Sequence, residues 1–158
     1  MIRIMFVCHG NICRSPMAEF IMKDLIRQHG VTNNYVVSSS ATSTEEIYRG
    51  VGNPVYPPAR AELASHGIIC DGKRAVQLSS SDADKYDYFI GMDSANIRNM
   101  HRILGEKAAG RIYKLLEFAR SDRDVADPWY SDRFDIAYDD IYEGCTALLR
   151  YLLDSSAR

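Results

Sequence analysis

The stretch Val7-Cys8-His9-Gly10-Asn11-Ile12-Cys13-Arg14-Ser15-Pro16 determines the fold class that we predict for this chain. Before it, residues 2–7 are apolar at nearly every position, which is typical of a strand buried on both faces of a sheet. Within it, Ser15 has the side chain of a helix N-cap, and Pro16 suits the first helical position. The stretch therefore predicts a loop that joins a buried first strand to a helix.

Strands and helices alternate along the rest of the chain, apart from a predicted loop over residues 39–58. Further strands are predicted at residues 35–38, 86–91 and 111–116. Helices are predicted from Ser15 to Gly30, at residues 59–66, at residues 94–103 and along the apolar stripe of Ile141, Cys145, Leu148, Leu149 and Leu152. We therefore expect residues 1–158 to form one α/β domain, a parallel sheet with helices on both faces. Ligands of such sheets bind beyond the carboxyl ends of the strands, where the opening stretch lies.

The residue types of this loop suit the binding of a phosphate group. A helix amino end offers unpaired N–H groups, and Gly10 and Asn11 tolerate the backbone angles that turn further N–H groups inward. The predicted phosphate-binding residues are His9, Gly10, Asn11, Ile12, Cys13 and Arg14. Arg14 would add the planar guanidinium that matches two phosphate oxygens. Cys8 would lie beneath the phosphate, where positive surroundings favour the nucleophilic thiolate.

Other functions of the same residues are weaker alternatives. A Cys-x5-Arg pair is by itself a weak signal, and Ser15 is explained adequately as a helix cap. A zinc site on Cys8 and Cys13 lacks a second pair of ligands at suitable spacing. A thioredoxin-type redox pair has two intervening residues where four stand here. Because the sequence also lacks carboxylates and histidines clustered at ligand spacing, we predict no metal ion and no cofactor.

Composition and charge narrow the possible classes of function. A formal net charge of −2 gives the chain no electrostatic reason to bind nucleic acid or an anionic membrane. No apolar run approaches the length of a membrane span, and the first strand is too short for a signal-peptide core. We therefore expect a cytoplasmic protein with reduced cysteines, of which Cys145 lies in the core and Cys70 in a loop.

Cys8 to Ser15, followed by Pro16-Met17-Ala18-Glu19, resembles the signature of the low-molecular-weight protein tyrosine phosphatases. The resemblance covers nearly the whole chain and continues at residues 39–43, at residues 86–93 and at Asp127-Pro128-Trp129-Tyr130. It implies a four-stranded parallel sheet of order 2-1-3-4 flanked by helices. It also implies a phosphotyrosine-containing protein or a small aryl phosphate as the partner, and we expect a monomer or a weak dimer.

The resemblance assigns the catalytic roles. Cys8 would form a phosphocysteine intermediate, with Arg14 and the loop amides holding the phosphate. A phenolate leaving group, whose conjugate acid has a pKa of about 10, needs a proton in the transition state. Asp127 is the expected acid, and as a carboxylate it would then activate water. Pro128 would stiffen the loop that aims Asp127.

Supporting roles follow from the same resemblance. Trp129 and Tyr130 would form an aromatic wall for the substrate ring. Asn11 and Ser39 would hold the loop in shape, and Ser15 would stabilise the departing thiolate.

Three features leave alternatives open. Cys13 stands where the family keeps a second cysteine that can pair reversibly with the nucleophile, although it is equally well explained as a small buried residue. Lys73 stands where the family often has a histidine of the supporting network. Extra residues at 48–51 lie where the family's substrate-facing loop is expected, so the substrate preference could differ.

Rival reactions are disfavoured by single features. Arsenate reduction needs further cysteines, and none occurs between Gln77 and Met100. Phosphoarginine hydrolysis is associated with Thr where this chain has Ile12. A catalytically silent phosphate-binding module would require neither Cys8 nor Asp127.

Overall fold

The computed structural model describes residues 1–156 and contains a single α/β domain. The strands are β1 (Ile2–Cys8), β2 (Tyr35–Ala41), β3 (Ile47–Tyr48), β4 (Val51–Gly52), β5 (Tyr88–Gly91) and β6 (Ile112–Lys114). The helices are α1 (Arg14–Gln28), α2 (Pro57–Ser65), α3 (Ser94–Leu104), α4 (Pro128–Ser131) and α5 (Phe134–Ser156). None of the helices in this described part is long and apolar enough to cross a membrane.

The main sheet is parallel, with the strand order β2-β1-β5-β6. This order confirms the predicted 2-1-3-4 arrangement, because β5 and β6 are the third and fourth strands of that sheet. The central strand β1 pairs with β2 from Ile2 to Cys8 and with β5 from Ile4 to Val7. Its near-continuous apolar sequence therefore reflects burial on both faces.

Alternate residues of β1 face two different hydrophobic clusters. Ile4 and Phe6 pack in the larger cluster, which includes the apolar faces of α1 and α5. Met5 and Val7 pack in the smaller one, together with Met100 of α3. The two-residue period of the strand thus places helices on both faces of the sheet. Cys145 is fully buried in the larger cluster, as predicted.

Several predicted element boundaries were wrong. Ser15 is not the N-cap of the first helix, because α1 already begins at Arg14 and Cys13 occupies the cap position without a side-chain hydrogen bond. The second strand continues to Ala41, since it pairs with β1 as far as Cys8. The third strand starts at Tyr88, and the fourth ends at Lys114, where a 3-10 helix begins. The second helix starts at Pro57, with the proline in its first turn.

The predicted loop over residues 39–58 contains a short antiparallel hairpin, β3–β4. Arg49 and Gly50 at its tip both have positive φ, of 51° and 78°, as the turns that suit tight hairpins require. A side chain at Gly52 would meet the carbonyl oxygen of Ala75 at 1.9 Å, so only glycine allows this close approach. The extra residues at 48–51 therefore form the end of this hairpin, with the side chains of Tyr48 and Val51 exposed.

Candidate active site

The loop after β1 lies at the carboxyl edge of the sheet and forms the floor of a cavity of about 430 Å³. Its lining includes Cys8, His9, Gly10, Ile12, Cys13, Arg14, Glu45, Glu46, Asp93, Asp127, Trp129 and Tyr130. The fold therefore brings together residues from the first loop, the β3–β4 region, the turn after β5 and the segment before α5.

Cys8 ends β1 and is buried directly at the amino end of α1. The backbone N–H of Ser15 donates to its sulfur at 3.4 Å, and the Ser15 hydroxyl lies 3.0 Å from the same atom. These two contacts and the helix dipole all favour negative charge on sulfur. Ser15 was predicted both as a cap and as a partner of the thiolate, and its position fits the second role.

Asn11 connects the loop to its surroundings through all of its polar side-chain atoms. Its backbone has φ of +60°, which asparagine tolerates better than most residues. Its amide nitrogen donates to Ser15 Oγ at 2.7 Å and to Ser39 Oγ at 2.9 Å, and its Oδ1 accepts from the Val76 N–H at 3.0 Å. Because Asn11 donates to Ser15 Oγ, the serine proton can point at the Cys8 sulfur, 3.0 Å away, or at the Ser40 carbonyl at the longer distance of 3.5 Å.

A charged cluster lies behind this network, on the side away from the cavity. The Ser39 hydroxyl donates to Glu19 at 2.6 Å, and Lys73 Nζ donates to the Ser39 carbonyl at 3.0 Å. Glu19 is also 2.6 Å from Lys23 and 3.7 Å from Lys73. Burial lowers the pKa of Lys73, although the nearby Glu19 opposes this shift. Lys73 thus occupies the supporting network, as a cation that faces a buried carboxylate.

Arg14 is buried and links two different loops. Its guanidinium donates to the Val125 carbonyl at 3.0 Å and lies 2.9 Å from Asp93 and 3.6 Å from Asp127. Burial by itself would lower the pKa of Arg14, but the charges of Cys8, Asp93 and Asp127 raise it above its usual value. The guanidinium therefore stays charged beside the Cys8 sulfur.

Asp127 is held at the rim by the short helix that follows it. Its Oδ1 accepts from the Trp129 N–H at 3.0 Å, which makes it the N-cap of α4, and Pro128 opens that helix. Its side chain is 36% exposed, so water can reach it. Two residues earlier, Val125 is buried and donates its N–H to the Met92 carbonyl at 2.9 Å.

The walls of the cavity are more exposed than its floor. Tyr130 is 86% exposed and Trp129 is 53% exposed, and the Trp129 ring packs against Tyr56 with a centroid distance of 5.1 Å. His9 Nε2 and Glu45 Oε2, which also line the cavity, are 3.0 Å apart. The predicted aromatic wall therefore lines the cavity with two largely solvent-exposed rings.

Cys13 lies in the same cavity but differs from Cys8 in its surroundings. Burial, and secondarily the charges of Cys8 and Asp127, raise the pKa of the Cys13 thiol to about 12. Cys13 is therefore a neutral thiol at pH 7. Within residues 1–156, no group of three or more His, Cys, Asp or Glu side chains is arranged to hold a metal ion.

The family of the chain follows from comparison with known proteins. The sequence model of the family described as low molecular weight phosphotyrosine protein phosphatase matches residues 3–157. The chain belongs to this family. The phosphatase domain also has the four-stranded parallel sheet that the resemblance to this family predicted.

Three relatives illustrate how far the similarity of the phosphatase domain extends. The low molecular weight protein-tyrosine-phosphatase YfkJ of Bacillus subtilis is 38% identical over 94% of both chains. The crystal structure of YfkJ superposes with a TM-score of 0.91, covering 98% of this chain and 96% of that one. PtpA of Staphylococcus saprophyticus is 35% identical over 97% of this chain and 95% of its own. The arginine phosphatase YwlE of Bacillus subtilis, at 24% identity and a TM-score of 0.83 over 96% of this chain and 99% of its own, shares the fold.

The roles of two residues in the phosphatase domain, Asp93 and Glu19, were not predicted from the sequence. Asp93 forms an ion pair with Arg14. It is also the N-cap of α3, because its side chain accepts a hydrogen bond from the Asn96 N–H at 2.8 Å. An aspartate between a strand end and a helix start, at the same sheet edge as Cys8, was an available signal for it. Glu19 was quoted only as part of the motif, and its contacts with Ser39 and Lys73 join residues too distant in sequence to be paired by pattern.

Proposed function

We propose that this phosphatase hydrolyses phosphotyrosine monoesters through a phosphocysteine intermediate on Cys8. The observation that supports this most directly is the Cys8 sulfur at the amino end of α1, contacted by the Ser15 N–H and hydroxyl. Arg14 and Asp127 line the same cavity.

In the first step, the amides of His9, Gly10, Asn11, Ile12 and Cys13 and the Arg14 guanidinium hold the phosphate. The Cys8 thiolate attacks phosphorus, so that a sulfur–phosphorus bond forms while the bond from phosphorus to the tyrosine oxygen breaks. Asp127 gives its proton to that oxygen, and tyrosine leaves as the neutral phenol. Trp129 and Tyr130 flank the departing ring.

In the second step, water takes the place of the tyrosine side chain. The Asp127 carboxylate accepts a proton from water as its oxygen bonds to phosphorus, and the sulfur–phosphorus bond breaks. Inorganic phosphate is released and Cys8 returns to the thiolate, which the Ser15 hydroxyl and N–H stabilise. Asn11 and Ser39 keep the loop in one shape through both steps, and Pro128 restricts the backbone that aims Asp127.

Phosphotyrosine is favoured over the rival substrates by the cavity and by the relatives. Ile12 gives the floor an apolar side chain that suits an aromatic ring, and the family relatives YfkJ and PtpA are named protein-tyrosine-phosphatases. No cysteine between Gln77 and Met100 can pass on the disulfide that arsenate reduction needs. The expected substrate is therefore a phosphotyrosine-containing protein or a small aryl phosphate.

The setting of the reaction follows from its nucleophile. A thiolate enzyme needs a reducing compartment, so we propose a cytoplasmic location. Residues 1–158 would act as one catalytic domain, as a monomer or a weak dimer. The proposed reaction uses no metal ion and no cofactor.

We further propose that Cys13 captures Cys8 after oxidation. Peroxide converts the Cys8 thiolate to a sulfenic acid, and attack by Cys13 sulfur then forms a disulfide with loss of water. Because the pKa of Cys13 is about 12, its thiolate is scarce at neutral pH and disulfide formation should accelerate as the pH rises. Mass spectrometry after treatment with excess peroxide tests this: the wild type should carry the disulfide and Cys13→Ser should carry overoxidised Cys8. The same product mixture in both proteins would contradict the proposal.

The deciding experiment is hydrolysis of para-nitrophenyl phosphate and of phosphotyrosine in excess EDTA. The wild type should remain active, Cys8→Ser should be inactive, and Asp127→Ala should lose about 10²–10⁴-fold in rate on phosphotyrosine. Asp127→Ala should lose less on para-nitrophenyl phosphate, whose leaving group needs the proton less. An inactive wild type, or an active Cys8→Ser variant, would overturn the proposal.

A further inference from the structure

A second depression, of about 560 Å³, adjoins the active-site cavity. We call it the side groove; its apolar lining includes Ile12, Val55, Tyr56, Pro57, Ala61 and Ala64. Ile12 and Glu46 line both the side groove and the active-site cavity. The side groove and the active-site cavity are therefore adjacent, and these two side chains form a wall that they share.

The side groove is fixed to the phosphate loop. The Tyr56 N–H donates to the Ile12 carbonyl at 2.8 Å, and the Tyr56 ring packs against Trp129 of the aromatic wall. On the α2 side, Ala61 and Ala64 are one helical turn apart, so two methyl groups leave space where longer side chains would fill it. The groove thus keeps a defined position relative to Cys8 without being part of the chemistry.

We propose that the side groove binds an apolar side chain of the substrate, one or two positions from the phosphotyrosine. This rests on the proposed function, because it assumes that the phosphotyrosine occupies the active-site cavity. Residues of an extended peptide advance by about 3.3 Å each, so a near neighbour of the phosphotyrosine can reach across the wall of Ile12 and Glu46. A small aryl phosphate would leave the groove empty.

The charge at the wall restricts which neighbours fit. The Glu46 carboxylate is held by Asn53 at 2.8 Å, and Glu45 lies beside it on the cavity rim. An acidic substrate residue at this point would meet two carboxylates, and Arg60, which also lines the side groove, is already paired with Asp71 at 2.6 Å. An aliphatic residue would contact Val55, Ala61 and Ala64. The preferred substrate is therefore a phosphotyrosine peptide with an aliphatic, not an acidic, neighbour.

A peptide panel tests this preference on the wild type. The reference peptide carries alanines around phosphotyrosine, and single positions from two before to two after it are replaced by Leu or by Asp. Leu at one of these positions should raise kcat/KM about tenfold over Ala, and Asp there should lower it. Equal values of kcat/KM across the panel, or a preference for Asp, would overturn the inference. Activity on para-nitrophenyl phosphate shows separately whether the proposed function holds.

Substitutions in α2 then test whether the side groove is the site that favours the Leu peptide. Ala61→Trp or Ala64→Trp should fill the side groove and abolish the gain from Leu, measured as the ratio of kcat/KM for the Leu and Ala peptides. Ser65→Trp, on the same helix but outside the groove lining, should keep that ratio. A gain that survives in both groove variants would place the apolar contact elsewhere and refute the assignment. If a groove variant does not fold, the wild-type panel still decides whether the preference exists.

Discussion

The two loops that meet at the cavity are held in opposite ways. The nucleophile loop, residues 8–15, is fixed by buried side chains: Asn11 alone makes hydrogen bonds to Ser15, Ser39 and the backbone of Val76. The acid loop, residues 120–130, is fixed mainly by backbone contacts at Val125 and by exposed ion pairs. The nucleophile loop is part of the core, whereas the acid loop lies on the surface and has only two buried residues, Val125 and Pro128.

This difference matches what each loop has to do. The nucleophile loop must present several N–H groups in one arrangement, and preorganised donors stabilise charge best when nothing has to move. The acid loop carries one proton and has to admit and release a substrate ring, which a half-exposed segment allows. Arg14 is the link between them, because it contacts Val125 and Asp127 from the nucleophile side.

The largest effect is expected from Asn11→Ala in the nucleophile loop. It removes two buried hydrogen bonds and one partly buried one, and it places alanine at a φ of +60°, so the free energy of unfolding in urea should fall by about 3 kcal/mol. The value of kcat should fall as well, because Ser15 loses the donor that orients its hydroxyl.

Asn11→Gly is the matched control, since glycine adopts this backbone angle without strain. It should recover about 1 kcal/mol of the stability but none of the lost kcat. Full recovery of stability by Asn11→Gly would mean that the backbone angle, and not the hydrogen bonds, holds the loop.

A smaller effect is expected from Asp140→Ala, which removes an anchor of the acid loop. Asp140 accepts from the Ala126 N–H at 3.3 Å and pairs with Arg123 at 2.8 Å. Because both contacts are at the surface, the free energy of unfolding should fall by only about 1 kcal/mol. The value of kcat should fall severalfold on phosphotyrosine and less on para-nitrophenyl phosphate, since only the proton transfer is affected.

Glu143→Ala is the matched control for Asp140→Ala, because it removes an ion pair with Arg123 but leaves the hydrogen bond from the Ala126 N–H to Asp140. Glu143 accepts a hydrogen bond from the same arginine, at 2.5 Å, but unlike Asp140 it accepts none from the backbone of the acid loop. It should change stability about as much as Asp140→Ala while leaving kcat unchanged. If Asp140→Ala were as destabilising as Asn11→Ala, the contrast between the two loops would be wrong.

The same contrast explains which features could be predicted from sequence. Residues 8–15 were interpretable because the groups that act together are neighbours in the chain and follow an obvious apolar strand. The role of Ser15 as a cap was wrong because capping rules consider local N–H groups, whereas the hydroxyl faces Cys8 and Asn11. The end of β2 was placed too early, since Ser39 and Ser40 carry no apolar signal and belong to the strand only through pairing with β1.

The residues of the acid loop, in contrast, could not be identified from sequence patterns alone. Asp127 was recognised through the resemblance to a family, because an Asp-Pro pair by itself indicates only a turn. Asp93 was missed because its importance depends on Arg14, which lies 79 positions earlier in the chain and meets it only in the folded sheet. The strand order was predicted from the family resemblance and the sheet edge from the alternation of strands and helices, but the pairing of side chains across that edge is visible only in the folded structure.

The smallest effect is expected from Lys73→Met, behind the nucleophile loop, and it depends on pH. Burial lowers the pKa of Lys73 from its ordinary value of 10.5 in the folded chain, with Glu19 acting in the opposite direction. Just below pH 10.5 the unfolded chain therefore binds more protons at this residue than the folded chain does, and raising the pH favours the fold. The difference in free energy of unfolding, wild type minus Lys73→Met, should increase with pH in that window and stay level near pH 7.

Urea unfolding of both proteins between pH 7 and pH 10.5 measures this difference, and Lys85→Met, at an exposed position, controls for the loss of a surface charge. A difference that decreases as the pH rises would mean that the attraction to Glu19 outweighs the burial of the lysine. The charged cluster behind Ser39 would then stabilise the nucleophile loop through its ion pair, and not only through the hydrogen bond from Lys73 to the Ser39 carbonyl.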